Sequence, residues 1–230
     1  MSITGVLLVV FLLFHSIMNF VSIINPEAYD VISAFLGANW YAIVATMGLA
    51  LGFIIHILYA LLLTYQNWRA RGNSPYAVKA RQKGVSWASK NMLILAVFIL
   101  GFLGLHLFQF WSKMQLVELM HNMGADVPEQ AALLASKGAH WVQYYFSQPI
   151  YAVLYIVWLV ALWFHLTHGV WSMLHTLGLN NQTWMPRLKS LSYILATLIV
   201  LLFMAVPICG LLKAGPLFSP ESMYNTFLNI

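Results

Sequence analysis

The chain has 230 residues, of which 61% are hydrophobic and only 7% charged, with 11 basic residues, 6 acidic residues and a formal net charge of +5. A soluble domain carries about a quarter charged residues, so this composition excludes a water-solvated globule and makes lipid the solvent. Nucleic acid is not implied by the positive balance, because the basic residues fall in loops between apolar runs. The one cysteine, Cys209, lies inside an apolar stretch, which excludes a disulfide framework, a Cys-ligated zinc site and a Cys-bound iron–sulfur cluster within this chain.

Each crossing of a bilayer needs about 20 apolar residues, and five segments reach that length. The first covers residues 3–24 and is ended by Asn25-Pro26. It starts almost at Met1 with no basic stretch before it and no small-residue cleavage site after it, so it is expected to be a retained span rather than a signal peptide. The second covers 40–65 and the third 91–111. A polar stretch over 113–140 follows, expected at the surface, with an amphipathic helix around 128–137. The fourth span, 150–174, is introduced by Pro149; the fifth, 191–212, carries Pro207 near its end, where a kink is tolerated. No repeat, low-complexity tract or separate soluble unit is evident. The expectation is an all-α membrane protein, a five-transmembrane-helix bundle forming one membrane-embedded domain over 1–230.

Charge placement predicts the orientation. The loop between the second and third spans holds Arg69, Arg71, Lys79, Arg81, Lys83 and Lys90, and the loop between the fourth and fifth holds Arg187 and Lys189. Neither contains an acid. Glu27, Asp30, Glu118, Asp126, Glu129 and Glu221 all fall at the opposite end, with Lys113, Lys137 and Lys213. Basic loops stay cytoplasmic, so the N-terminus is expected in the cytoplasm and the C-terminus outside, in a multi-pass protein of the cell inner membrane. Trp40, Trp68, Trp87, Trp111, Trp141 and Trp184 sit at or just beyond the span ends, where ordinary anchoring in the headgroup layer accounts for them.

Histidine is the residue that the lipid environment does not explain. Four of the eight histidines lie deep in separate spans: His15, His56, His106 and His165. An unpaired imidazole in hydrocarbon costs a few kcal/mol. A hydrogen bond across a helix interface would account for any one of them, but less readily for one in each of four spans. By position, His56 and His165 fall in the cytoplasmic halves and His15 and His106 towards the outer halves, at levels separated by several to about 10 Å. Two levels of paired imidazoles suit two haems, each with two axial histidines. Carboxylates are missing at these depths, which argues against a di-iron site and weakens a proton relay. Gly48, Gly52, Gly101, Gly104 and Gly169 lie near these histidines and would admit a flat macrocycle or a neighbouring helix, helix packing being favoured for Gly48. His168 and His175 share one face with His165, within about 80°, and are expected at a haem edge, meeting propionates together with Ser2, Arg187 or Lys189. His121 and His140 are expected to be plain surface residues.

These residues together resemble the cytochrome b subunit of succinate dehydrogenase/fumarate reductase, in its single-anchor, five-helix, two-haem form. The resemblance is carried by Ser2-Ile3-Thr4-Gly5 with His15 ten residues after the glycine, by His56 in IIHILYA, by Gly-x-His-Leu within Leu103–Leu107, and by HLTHGVWS from His165 to Ser172. It spans nearly the whole chain, helix order and long basic second loop included. The resemblance implies His15 with His106 on a distal haem b and His56 with His165 on a proximal one, the pairing that depth also suggests. It further implies a flavoprotein subunit and an iron–sulfur subunit docked on the cytoplasmic face, and a quinone, usually menaquinone, as the redox partner. Some members carry a glutamate two residues before the fourth-span ligand, proposed for a proton path; Trp163 stands there in this chain. Two rival readings are a haem b anchor of a formate dehydrogenase or hydrogenase, and a cofactor-free transporter with buried histidines.

Overall fold

The structure, a computed structural model, describes residues 1–71, 86–179 and 181–222. Within them run α1 (Ser2–Ile24), α2 (Pro26–Phe35), α3 (Trp40–Arg71), α4 (Trp87–Lys90), α5 (Met92–His106), α6 (Gln115–Asn122), α7 (Glu129–Ala135), α8 (Gly138–Phe146), α9 (Pro149–Thr176) and α10 (Met185–Leu212), with no strand among the described residues. A π-helical turn over Leu107–Trp111 prolongs α5. Five helices, α1, α3, α5 with its π turn, α9 and α10, are long and apolar enough to cross a membrane. They coincide with the five expected spans. Lys79, Arg81 and Lys83 of the basic loop lie outside the described residues.

Local chemistry sets the helix ends. Asn25 closes α1 and caps α2, its side chain accepting from the Ala28 N–H at 3.0 Å, with Pro26 in the first turn where no N–H is required. α3 runs on to Arg71, beyond the apolar run, because no proline or glycine intervenes between Gly52 and Gly72. α10 starts early, at Met185, with Pro186 in its first turn.

The central pair is α9 and α10, whose seam buries Leu159, Leu162, Leu166 and Val170 against Ala196, Ile199 and Val200. α1 packs on both of them, α5 packs on α9, and α3 stands at the periphery, where α1 is the helix it packs along. Lipid gives helices no hydrophobic reason to associate, so close fit and satisfied polar groups have to hold the bundle. Buried Ser16, Ser22, Thr167 and Ser192 donate to carbonyls one turn back in their own helices, at 2.6–3.0 Å, so none is left unmade in hydrocarbon. Leu7 of α1 fills the space over Gly52 of α3, whereas a Cβ at Gly48 would meet nothing within 4 Å. The helix packing expected at Gly48 is therefore one turn away, at Gly52.

The stretch expected to be a surface loop is largely helical and partly buried. α7 matches the expected amphipathic helix, but α6 and α8 flank it. α8 packs against α2: the buried Asp30 carboxylate accepts from the Ala139 N–H at 2.9 Å and pairs with Lys137 at 3.7 Å. Gln143 donates to the Leu217 carbonyl at 2.7 Å, tying the segment after α10 to the same cap. α10 approaches α8 so closely that any Cβ on Gly210 would collide with the Phe146 carbonyl. His140, expected at the surface, is 3% exposed inside this cap, while His121 on α6 is exposed. Trp141 likewise turns into the cap, its indole donating to the Leu134 carbonyl at 3.0 Å, while the other five interfacial tryptophans are exposed.

Candidate functional site

The four span histidines gather at two levels. At the first, nearer the acidic end, His15 from α1 and His106 from α5 face each other with ring centroids 5.9 Å apart and planes at 81°. Phe11 stacks on His15 at 5.1 Å and Phe203 of α10 closes on it at 5.5 Å. Around His106 stand Phe110 at 5.2 Å, Trp158 at 5.8 Å and Tyr155 at 6.2 Å. The π turn begins immediately after His106 and carries Gln109, which is buried and accepts from the Tyr155 hydroxyl at 2.7 Å. Single π turns inside α-helices recur at functional sites because they re-aim side chains.

At the second level, nearer the basic end, stand His56 of α3 and His165 of α9, with His168 three residues further along α9. His56 Nδ1 is 3.1 Å from the hydroxyl of Thr4 on α1. The levels lie at or beyond the upper end of the spacing that position in sequence implied. Thr4 marks the second level and His15 the first, and eleven residues of α1 separate them, about 16 Å at 1.5 Å per residue. On α9, Trp158 and His165 give about 10 Å by the same rise.

Beyond the second level, Ser2 hydrogen-bonds Thr176 at the end of α9. Trp171 stands between His168, at 5.3 Å, and His175, at 6.5 Å, and Lys189 lies 4.5 Å over its ring. Ser2, His168, His175 and Lys189 thus collect at one end of α9. Arg187 instead stacks on Trp184 at 5.2 Å. Trp163 donates to Thr197 of α10 at 3.0 Å, a packing role.

Among the described residues no three His, Cys, Asp or Glu side chains converge as a protein-only metal site requires. A porphyrin supplies four nitrogens itself and needs only two axial ligands. Two imidazoles sharing a metal at about 2.0 Å per nitrogen have ring centroids about 6.3 Å apart, within half an ångström or so of the His15–His106 spacing. Nδ1 of His106, His165 and His168 and Nε1 of Trp158 are buried with no hydrogen-bond partner, polar atoms for which a packed apolar bundle has no use. A Cβ at Gly101, Gly104 or Gly169 would meet nothing within 4 Å; Gly101 and Gly104 are exposed and Gly169 is half-buried. The donor set at His15 and His106 fits axial ligation by a pair.

Sequence reasoning missed Thr4, Asn19, Gln109 and Tyr155 as neighbours of the histidines. Asn19 had a signal: it follows His15 by four residues on the same helical face, and its amide lies 3.3 Å from His15 Nδ1. Tyr155 and Gln109 had none, since their pairing joins segments 46 residues apart. Comparisons with models of protein families, with curated proteins and with solved structures found no match.

Proposed function

We propose that the chain is a dihaem cytochrome b membrane anchor of the succinate dehydrogenase/fumarate reductase kind, passing electrons between an iron–sulfur subunit and a quinone. The observation that carries this reading is the contact of His15 and His106, two imidazoles from different spans held 5.9 Å apart. His15 with His106 and His56 with His165 are the residues that would hold two haems b. Haem, when bound, supplies one-electron chemistry at iron. The residues of the chain do the rest: they fix the two levels, line them with aromatic rings, and keep charge away from them. With both axial positions taken by histidine, the site suits electron transfer rather than binding of a gas.

Lys90, Arg187 and Lys189 belong to one end of the bundle. In this reading that end is cytoplasmic, receives the iron–sulfur and flavoprotein subunits, and leaves the C-terminus outside the inner membrane. The second level, on that side, takes electrons from or gives them to the clusters; the first level exchanges them with the quinone, menaquinone in the form the resemblance implies.

The decisive experiment is a pyridine haemochrome assay and a reduced-minus-oxidised spectrum of the purified full chain. Two low-spin haems b per chain, unaffected by carbon monoxide, are expected. A chain without haem returns it to the transporter reading, and a single haem or a large carbon monoxide shift contradicts the bis-histidine scheme.

A further inference from the structure

The geometry points to Thr4 as the positioning residue that fixes the tautomer of His56 and so presents Nε2 of that ring as a metal ligand. Thr4 Oγ1 lies 2.9 Å from the Met1 carbonyl oxygen, to which it donates, and 3.1 Å from His56 Nδ1. A hydroxyl has one proton and two lone pairs, and a carbonyl can only accept. With its proton given to Met1, the Thr4 oxygen is an acceptor towards His56, so the ring must donate through Nδ1–H. In a neutral imidazole the other nitrogen is then unprotonated. A ligating histidine is usually oriented in this way, its second N–H held by an oxygen acceptor that also raises the basicity of the ligating nitrogen.

The other span histidines lack this arrangement. Nδ1 of His106, of His165 and of His168 is buried without a partner. Both ring nitrogens of His15 face the amide nitrogen of Asn19, a donor, at 3.3 and 3.4 Å. Thr4 therefore acts on one histidine alone. Its position also ties the start of α1 to α3, the span with the least support from the rest of the bundle.

This inference rests on the haem reading for His56, and it has a consequence specific to one centre. An acceptor on Nδ1–H makes Nε2 a stronger donor and favours the ferric state. Removing it should shift the reduction equilibrium of the His56 centre towards the ferrous state by about tenfold, the lower end of outer-shell effects, or about 59 mV for one electron.

The test is a redox titration with low-temperature EPR of the full chain in its membrane complex, comparing wild type, Thr4→Val and Thr4→Ser. Thr4→Val keeps the shape and removes the hydroxyl; Thr4→Ser keeps the hydroxyl. One of the two midpoint potentials is expected to rise in Thr4→Val while the other stays, with Thr4→Ser at the wild-type value. Two unchanged potentials in Thr4→Val, or equal shifts in both variants, overturn the inference and leave the haem reading standing. A second measurement needs no haem: nitrogen-15 NMR of the His56 ring in the haem-free chain should report Nδ1–H in wild type and lose that preference in Thr4→Val. Nε2–H in wild type overturns the role of Thr4 even where no haem is bound, whereas absence of haem alone bears on the functional reading.

Discussion

Replacing Gly169 distinguishes room left for a cofactor from room left by chance. Gly169 follows His165 by one turn of α9 and lies about 40° round from it, and a Cβ there would meet nothing within 4 Å. Glycine inside a helix is about 0.5–1 kcal/mol less favourable than alanine, so a glycine with nothing packed on it is a loss without a structural return. Gly169→Ala should therefore stabilise the haem-free chain by about that amount, a rise of roughly 1–4 °C by the scaling of soluble domains of this size. Gly169→Leu carries a branched side chain into the same space beside His165. Thermal melting of the haem-free chain and haem content of the loaded one give the two answers. Melting of Gly169→Leu should not fall below wild type by more than about 1 kcal/mol, since there is nothing to overpack, while haem content should drop from two to one. Two haems with unshifted spectra in Gly169→Leu would refute the claim that this room belongs to a cofactor.

On the proposed function, His165→Ala should remove the haem signal of the second level and His106→Ala that of the first, whereas His168→Ala should keep both; haem loss from His168→Ala with two haems in His165→Ala would move the ligand by one turn, about 4.5 Å. Gly210→Ala should destabilise the chain by about 1–3 kcal/mol, because the new methyl group meets the Phe146 carbonyl rather than a movable side chain; a melting temperature equal to wild type would contradict that. Burial holds His140 below the ordinary imidazole range, with Asp30 opposing it. A base depressed in the folded state contributes stability above its unfolded pKa and loses it as pH falls through the folded value. Melting of the chain should therefore weaken below about pH 6.5, and His140→Gln should flatten that dependence; an unchanged slope would show that other groups set it.

The spans were legible because lipid imposes one requirement on every crossing, a long apolar run, and imposes it locally. The outer cap was not. His140 looked like a surface residue because its surroundings in sequence, Lys137 and Gly138 among them, are those of a loop. What buries it is the pairing of α8 with α2, made through Asp30 and Ala139 across 109 residues, which no local pattern announces. The glycines failed in a different way. Gly48 and Gly52 read as one packing motif, yet Leu7 fills only the space over Gly52; which glycine a neighbour uses depends on the axial register of α1 against α3. Gly104 and Gly101 precede His106 by two and five residues, about 200° and 140° round the helix, so they border its level without lying over its ring. The spacing between levels was legible to its upper end, about 10 Å along α9, while the larger figure of about 16 Å along α1 reflects an axial offset between helices that no single span displays.

α3 stands at the periphery of the bundle, and its support decides how the chain should respond to loading with haem. Leu7 over Gly52 and Thr4 against His56 attach it to α1, while its outward face, with Val44, Leu51, Ile54, Leu58 and Leu62, is apolar and exposed. The α9–α10 seam has no such need, being packed along its length. If His56 and His165 share a ligand, binding must clamp α3 to α9, a tie the protein alone makes weakly, while adding little to α10. A spin label makes the difference measurable. Cys209 on α10 is the only native thiol, so it serves as the reference site, and a cysteine at Ala60 on α3, in a Cys209→Ser background, serves as the probe. Loading the chain with haem should slow the label on α3 and leave that on α10 nearly unchanged. His56→Ala should abolish the effect on α3 without altering the reference, because it removes the bridge and not the packing. Equal slowing at both sites would mean that the cofactor tightens the whole bundle, and no slowing at α3 would mean that His56 does not bridge to α9 at all.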